Sequence, residues 1–404
     1  MALLVDGVDA LLTLLALLLL VPVGVLTLQL LLARPGGAAA AVAAGRRPRL
    51  AVVMPAHNEA AGIAEPIAAL RAQLAPGDRL LVVADNCSDA TAAVAAAAGA
   101  QVSERFDSVR RGKGYALDHG VRQLEADPPE VVLIVDADCI VEPGALDRLA
   151  RECAAHGRPI QALYRMLTPE GAGLRMRVAQ FAWRVKGQAR ALGYRRLGLP
   201  CQLMGTGMAF PWAQIVTAPL ASGHLVEDLQ LGLDLAAAGH APRYCVEAVV
   251  TSSFPSSDDA TASQRTRWEH GHLGVIAAQG PRLLWRALRE RNGALAALTL
   301  DLCVPPLSFL VLLLGGMLAA GALFALASGE RGPLALAALS ALLMALGIGA
   351  AWQRFGRDAL SLGELLGIPL YVLAKLPMYA RLLVARQTQW VRTGRDKPRP
   401  PDRG

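Results

Sequence analysis

Long stretches of apolar residues without a charged side chain stand out along this sequence. Three such stretches, at 10–33, 302–329 and 332–353, each exceed the ~20 apolar residues that a helix needs to cross a bilayer. The first is too long for a secretion signal, and basic residues follow it instead of preceding it. The pattern therefore predicts three transmembrane helices.

Basic residues flank these stretches on one side and predict their orientation. They follow the first stretch, precede the second and follow the third, at Arg34, Arg46, Arg47, Arg49, Arg282, Arg286, Arg289, Arg291, Arg354 and Arg357. Because basic flanks stay on the cytoplasmic side, we expect residues 34–291 to be cytoplasmic. Residues 1–9 and the short turn at Glu330 are then expected outside.

The apolar segment 361–380 differs from the three predicted spans. Glu364, Lys375 and two prolines interrupt it, so we interpret it as an interfacial or re-entrant segment. The tail at 381–404 carries seven basic and two acidic side chains and is expected to be cytoplasmic. The alternative is a fourth span, which would place this basic tail outside.

Between the first two predicted spans the pattern changes to short apolar runs separated by alanine-rich helical stretches. The runs at 50–54, 80–84 and 131–135 have the composition of buried strands, and helices are expected near 60–74 and 90–98. Strand, helix and strand in succession predict an α/β fold with a parallel sheet. Ligands of such sheets bind at the carboxyl ends of the strands.

Composition narrows the class of protein further. Of the 404 residues 54% are hydrophobic and 18% are charged, which is too apolar for an ordinary soluble domain. The formal net charge is +7, and much of the excess lies in the tail, which favours contact with anionic membrane lipids and argues against a nucleic-acid partner. The six cysteines contain no Cys-x-x-Cys pair and predict neither a disulfide framework nor a zinc site.

Polar and largely acidic residues follow each of the three predicted strands. They are Pro55–Glu59 after the first, Asp85–Asp89 after the second and Asp136–Asp138 after the third. Asp136 and Asp138 together are suited to a hard divalent ion whose remaining ligands are water and phosphate oxygens. The alternative is a solvated loop after a strand, since a lone Asp-x-Asp is frequent by chance.

A lysine between two glycines, Lys113, precedes the third strand. The glycines let the backbone approach a ligand, and the ammonium is suited to a phosphate group. The segment lacks the glycine and the Ser or Thr that a nucleotide-hydrolase phosphate loop requires. An exposed basic turn is the alternative.

Three later motifs complete the set of candidates. Gly205, Thr206 and Gly207 predict a tight turn beneath a ligand, or a bulge. Glu227 and Asp228 lie near the start of a predicted helix at 224–234, where carboxylates are favoured with or without a catalytic role. Gln264, Arg267 and Trp268 share one helix face and are suited to clamp a diphosphate and a sugar, unless they are interfacial side chains near a membrane.

In their order, these motifs resemble those of membrane-integrated family 2 glycosyltransferases, which include the synthases of cellulose, hyaluronan, chitin and poly-N-acetylglucosamine, and ceramide glucosyltransferase. The resemblance covers about 50–275 and implies a GT-A fold. That fold is a Rossmann-like, mostly parallel sheet, here with flanking transmembrane helices and interfacial helices near 171–192 and 261–290. It further implies an inverting, metal-dependent transfer of sugar from a UDP-linked nucleotide sugar.

The resemblance also implies roles for individual residues. Asp136 and Asp138 would bind Mg²⁺ or Mn²⁺, and Asp228, with Glu227 beside it, would be the general base. Successive helix residues point about 100° apart, so we expect only one of these two acids to face the crevice. The glycine turn and Trp268 would contact the acceptor, and the nucleotide sugar would be bound by Pro55, Asn58, Glu59, Asp85, Lys113, Asp136, Gln264, Arg267 and Trp268.

The resemblance implies a multi-pass protein of the cytoplasmic (inner) membrane with its catalytic domain in the cytoplasm. The acceptor would be a polysaccharide or a lipid-linked glycan, and secretion or polymerisation proteins would be partners. The alternative from another class is a catalytically inactive scaffold or a glycan-binding subunit of a secretion complex. A transporter is disfavoured because no charged residue lies inside a predicted span.

Overall fold

A computed structural model describes residues 2–36, 45–169, 171–224, 226–254, 258–373, 375–376 and 379. Side chains at 2 and 258–265 are not described, and the predicted basic tail at 381–404 lies outside the described residues. The chain forms two compact units, each treated by itself below. An α/β unit comprises the described parts of 36–172 and 199–271, and a helical unit those of 1–35, 173–198 and 272–387.

The strands and helices follow in chain order. The strands are β1 (Leu50–Ala56), β2 (Arg79–Asp85), β3 (Gln101–Arg105), β4 (Val131–Ile134), β5 (Ile140–Val141), β6 (Ile160–Leu167), β7 (Met208–Pro211) and β8 (Arg243–Ser253). The helices are α1 (Ala2–Leu32), α2 (Ala64–Arg71), α3 (Thr91–Ala97), α4 (Lys113–Gln123), α5 (Ala145–His156), α6 (Leu174–Arg184), α7 (Arg190–Arg196), α8 (Trp212–Ile215), α9 (Glu227–Ala237), α10 (Asp258–Arg289), α11 (Gly293–Leu302), α12 (Leu307–Ser328), α13 (Gly332–Phe355) and α14 (Leu362–Leu373).

The α/β unit is built on one eight-stranded sheet with strand order β3-β2-β1-β4-β7-β6-β8-β5. The predicted strands are β1, β2 and β4, and they pair in parallel, as does β3 with β2. β4–β7, β6–β7 and β5–β8 are antiparallel, and β6–β8 is parallel. The sheet is therefore parallel in the half that the apolar runs predict and mixed in the other half.

A hydrophobic core holds α4 and α9 against this sheet. Leu117 of α4 and Leu231 of α9 belong to one buried cluster with Val53 of β1 and Phe210 of β7. Burial of each such side chain stabilises the fold by roughly 1.5–3 kcal/mol. Because both helices pack on one cluster, their amino-terminal residues, Lys113 and Glu227, are positioned by the same core.

Gly120 is the closest approach of α4 to the sheet. A Cβ atom there would lie 2.7 Å from Cγ1 of Val53 and 2.9 Å from Cγ2 of Val83. We expect Gly120→Ala to lower the stability of the chain by about 1–3 kcal/mol, because the core has no room for the methyl group. Gly62→Ala is the matched control, since nothing lies within 4 Å of its Cβ position. Thermal unfolding that is unchanged by Gly120→Ala would contradict this packing.

Three helices of the helical unit are long and apolar enough to cross a membrane, by length and composition: Leu3–Leu32, Leu307–Ser328 and Gly332–Phe355. α1 includes residues 2–9, which the sequence predicted as a separate outer segment. Asp6 and Asp9 therefore lie within this helix, beyond its first turn.

The second predicted span, 302–329, begins later than expected. Pro305 and Pro306 separate α11 from α12, because a residue before proline is disfavoured in the helical conformation.

The segment predicted as one interfacial helix at 171–192 is α6 and α7, joined by a π-helical turn at Val185–Ala189. α14 lies within the predicted segment 361–380 and is shorter than the three long helices.

A buried polar cluster ties three elements of the helical unit together. Arg190 of α7 donates to the carboxylate of Asp301 at 2.7 Å and to the side chain of Gln29 at 3.0 Å. Gln29 in turn donates to Asp301 at 2.5 Å. Gly193 packs so closely on the backbone of Gln29 that a side chain there would overlap it. The ion pair is therefore enclosed and has its hydrogen-bonding groups matched, as a buried charge requires.

Candidate active site

The ends of β1 and β2 are joined by side-chain hydrogen bonds. Nδ2 of Asn58 donates to Oγ of Ser88 at 3.1 Å, and the Ser88 amide donates to Oδ1 of Asn58 at 2.7 Å. The Glu59 amide donates to Oγ1 of Thr91 at 2.7 Å. Asn58 adopts a left-handed φ of 57°, which asparagine tolerates better than most residues. The two loops predicted to bind the nucleoside therefore form one continuous surface.

Asp85 at the end of β2 is buried and paired with Arg105, a residue that the sequence did not single out. Nη1 of Arg105 donates to Oδ1 of Asp85 at 2.6 Å, and Nη2 donates to the Arg110 carbonyl at 2.8 Å. Asp85 and Arg105 are register partners at the carboxyl ends of adjacent parallel strands. The sequence does contain a basic residue at the end of β3 and an acidic residue at the end of β2, and this combination could have predicted their ion pair. Arg105 thus orients the candidate nucleoside-binding carboxylate.

The acidic pair after β4 forms the candidate metal site. Ligand atoms of Asp136, Asp138 and Cys139 lie within 4.8 Å of one another. Burial and then the two neighbouring carboxylates raise the pKa of the Cys139 thiol well above its ordinary value, so that the sulfur stays protonated. Oγ of Ser252 donates to Oδ2 of Asp138 at 3.3 Å and orients it. The atoms available to ligate a metal ion are therefore carboxylate oxygens, which fit Mg²⁺ or Mn²⁺.

The glycine turn supports this acidic pair. Gly205 and Gly207 adopt left-handed φ values of 86° and 63°. Thr206 between them is fully buried, and its Oγ1 accepts a hydrogen bond from the Asp136 amide at 3.1 Å. The side chain of Thr206 is enclosed, so the predicted contact of this turn with the acceptor, which stays a prediction, would involve its backbone. A Cβ on Gly207 would meet Val250 and Ala162, so that glycine serves packing as well.

Gly205 approaches two charged side chains. A Cβ placed on it would lie 3.3 Å from Nζ of Lys113 and 3.4 Å from Oδ2 of Asp228. Its lack of a side chain leaves space beside the lysine and the predicted base.

Lys113 lies at the centre of the charged cluster. Its Nζ is 2.5 Å from Oδ1 of Asp136, 2.8 Å from the Gly205 carbonyl oxygen and 3.9 Å from Oε1 of Glu227. Burial acts to lower the pKa of Lys113, but the carboxylates of Asp136, Glu227 and Asp228 outweigh it and raise the pKa above its ordinary value. The lysine is therefore charged and joins the acidic strand end to the first turn of α9.

Glu227 and Asp228 both line one pocket, which corrects the expectation that only one of them would face the crevice. They form the first turn of α9, where both side chains reach the amino-terminal end of the helix. Burial raises the pKa of Glu227 to about 7, against the opposing effect of Lys113 and with the support of Asp228. Glu227 is therefore partly protonated at neutral pH.

Several further residues line the pocket that these two acids share, and they include apolar, polar and charged side chains. The apolar members are Leu117, Met208, Pro219, Leu220 and Leu231, and the charged members are Lys113, Glu227 and Asp228. The pocket thus combines apolar contacts with carboxyl groups that can accept a proton.

Arg267 of α10 brings a second cation to the cluster. Burial lowers the pKa of Arg267, while the carboxylates of Glu227, Asp136 and Asp228 act in the opposite direction. Its Nε is buried without a hydrogen-bond partner among the described residues, so the guanidinium retains a donor for a ligand. Trp268 follows it on the helix and is partly buried, and Gln264 lies in the part of α10 whose side chains are not described.

The sheet and the acidic residues at its carboxyl edge define the class of protein. The fold is GT-A-like, and the predicted fold class is confirmed. The family described as "Glycosyltransferase like family 2" matches residues 48–271, and the chain belongs to it. The prediction of glycosyltransferase family 2 is therefore confirmed.

Curated relatives carry the same designation. The chain is 26% identical over 260 residues to the probable glycosyltransferase YdaM of Bacillus subtilis, which covers 57% of this chain and 56% of that protein. It is 41% identical over 101 residues to the uncharacterized glycosyltransferase Rv0539 of Mycobacterium tuberculosis, covering 25% of this chain and 42% of that protein. The chain thus spans about half the length of the curated relatives it matches.

Solved structures of glycosyltransferases are similar at a lower level. The mannosyltransferase PcManGT of Pyrobaculum calidifontis, in complex with GDP-Man and Mn²⁺, has a TM-score of 0.49 and 18% identity, covering 85% of this chain and 99% of that chain. The glucosyl-3-phosphoglycerate synthase of Mycobacterium tuberculosis, in complex with Mn²⁺, UDP and glucosyl-3-phosphoglycerate, has a TM-score of 0.39 and 25% identity. The match covers 60% of this chain and 85% of that chain.

Proposed function

We propose that this chain is an inverting, metal-dependent glycosyltransferase of the cytoplasmic membrane. It transfers a sugar from a UDP-linked nucleotide sugar to a polysaccharide or a lipid-linked acceptor, in exopolysaccharide or glycolipid synthesis. One observation carries the proposal: the carboxylates of Asp136, Asp138, Glu227 and Asp228 and the cations Lys113 and Arg267 share one edge of a GT-A-like sheet.

The residues divide into a donor side and an acceptor side. Asp136 and Asp138 hold Mg²⁺ or Mn²⁺, which when bound offsets the charge of the diphosphate. Lys113 and Arg267 bind the diphosphate, and the surface formed by Pro55, Asn58, Glu59 and Asp85 binds the nucleoside. Gln264 and Trp268 close over the diphosphate and the acceptor from α10.

Transfer requires an acceptor hydroxyl to attack the anomeric carbon while the bond to the diphosphate oxygen breaks. Asp228 accepts the hydroxyl proton as the new glycosidic bond forms, and the diphosphate leaves with the bonding electron pair. Gly205 leaves room for the sugar beside Lys113 and Asp228. An in-line attack inverts the configuration at the anomeric carbon.

A panel of radiolabelled nucleotide sugars tests this function. The full chain, purified in detergent, is expected to release nucleoside diphosphate and to form a labelled product from one donor only when Mn²⁺ or Mg²⁺ is present. Asp228→Asn is the control for background hydrolysis. The rival function, an inactive scaffold or a glycan-binding subunit, predicts no turnover with any donor and binding of glycan alone.

The membrane topology is tested by cysteine labelling of intact cells. Thr393→Cys in the tail is expected to react with an impermeant maleimide only after permeabilisation, because the basic flanks place the tail inside. Glu330→Cys, in the turn after α12, is the matched control and should react from outside. Labelling of Thr393→Cys in intact cells would instead support a fourth span through 361–380, and the unmodified chain gives the background from its own six cysteines.

A further inference from the structure

We propose that Lys113 competes with the divalent cation for Asp136, so that metal and nucleotide bind this site with positive coupling. Without a nucleotide the Lys113 ammonium pairs with the carboxylate of Asp136. With a nucleotide bound, the ammonium pairs with the diphosphate instead. The inference rests on the proposed function, because it takes a divalent cation and a nucleoside diphosphate as the ligands.

The contacts of Lys113 carry the first step. Its Nζ lies 2.5 Å from a carboxylate oxygen of Asp136 and donates to the Gly205 carbonyl at 2.8 Å. The two paired side chains are only 20% and 31% exposed, so water screens the ion pair less than it would at a surface. A divalent cation bound to Asp136 would therefore lie close to the Lys113 ammonium.

Repulsion between the two cations is the second step. A divalent ion on Asp136 and Asp138 and an ammonium on the same carboxylate would lie a few ångströms apart with the same sign of charge. Such an arrangement is unfavourable in a partly buried site. Nucleotide-free metal binding therefore requires Lys113 to leave Asp136, and that loss weakens the affinity for metal.

The nucleotide removes this conflict. Its diphosphate provides oxygens for both cations, so Lys113 keeps an anionic partner after the metal has taken Asp136. Arg267, whose Nε has no hydrogen-bond partner among the side chains that the structure describes, contributes a second donor to the same phosphates. Each ligand therefore favours the other, and linkage requires the two effects to be equal in size.

The local backbone permits the movement. Lys113 is the first residue of α4 and follows Gly112, which has a φ of 128° and nothing within 4 Å of its Cβ position. Leu117 and Val121, further along α4, are buried in the core. The lysine side chain can thus change partner while the helix stays anchored.

Calorimetric titration of the full chain in detergent with Mn²⁺, with and without UDP, tests the inference. In the unmodified chain we expect UDP to tighten Mn²⁺ binding by a factor of about 5–150. In Lys113→Met, Mn²⁺ alone should bind more tightly, because the competing ammonium is gone, and the effect of UDP should shrink. Lys113→Arg keeps the positive charge and should therefore keep nucleotide-free Mn²⁺ binding weak.

Two further variants distinguish competition between Lys113 and the metal from an ion pair that only stabilises the fold. Arg122→Met removes an exposed cation from the same helix and should leave the coupling unchanged. Lys113→Gln repeats the test in a second side chain, should Lys113→Met fail to fold by circular dichroism. Nucleotide-free Mn²⁺ binding that is unchanged or weaker in the folded Lys113 variants would overturn the inference and leave the proposed function intact. Failure of the unmodified chain to bind UDP with Mn²⁺ would overturn both.

Discussion

Asp228→Asn is expected to lower turnover by about 10²–10⁴ while nucleotide-sugar binding stays nearly unchanged. The amide cannot accept the proton of the acceptor hydroxyl, so the transition state loses its general base. It has nearly the size of the carboxylate, so the pocket that Asp228 lines keeps its shape. Turnover under saturating donor, together with a separate binding titration, measures the two effects.

Glu227→Gln is the matched variant, because Glu227 precedes Asp228 on the same helical turn. We expect it to retain far more turnover than Asp228→Asn. Burial raises the pKa of Glu227 to about 7, so a base at this position would lose activity as the pH falls below that value. With Asp228 as the base, Glu227→Gln should instead remove any inflection of turnover near pH 7 and leave the enzyme active. An inactive Glu227→Gln beside an active Asp228→Asn would move the base to Glu227, and full activity of both variants would exclude α9 as its source.

Asp138→Asn is expected to abolish most metal-dependent nucleotide binding. A neutral amide does not offset the charge of a divalent ion among phosphate oxygens, and Asp138 is one of the two carboxylates that ligate from the loop after β4. Calorimetry with UDP at saturating Mn²⁺ should show the loss, whereas binding without metal should change little.

Asp118→Asn, on the same α/β unit but paired with Arg122, is the control for a general effect of removing a carboxylate. It should bind UDP and Mn²⁺ like the unmodified chain. Unchanged nucleotide affinity of Asp138→Asn at saturating Mn²⁺ would rule out Asp138 as a metal ligand.

The part of the sheet that was predictable is the part that is buried on both faces. β1, β2 and β4 are continuous apolar runs, and their carboxyl ends carry the acidic residues that the sequence identified. β8 begins at Arg243 and includes Glu247, and β6 includes Gln161 and Arg165, so neither presents such a run. Their pairing is set by tertiary contacts, which the local pattern does not contain.

The candidate site likewise has a part that the sequence predicted and a part that it did not. The motifs identified Asp136, Asp138, Lys113, Glu227 and Asp228, because acidic and basic residues in fixed order are visible in sequence. Some partners of the candidate residues were not visible: Ser252 on Asp138 and Thr206 beneath Asp136 come from segments far along the chain, and Arg105 reaches Asp85 only through the register of adjacent strands. Hydrogen bonds between distant segments depend on register, and register is fixed only in the folded sheet.

The buried Gln29–Arg190–Asp301 cluster has a consequence for biosynthesis. Gln29 and Asp301 are 272 residues apart, and Arg190 lies between them in the chain. At a synthesis rate of about 5–20 residues per second, the first helix waits roughly 15–55 s before its last partner leaves the ribosome. During that interval its glutamine has no carboxylate to bind, while the intervening α/β unit has time to fold. The helix that carries Gln29 is thus made before its partners, and the time for which it waits is set by the length of chain between Gln29 and Asp301.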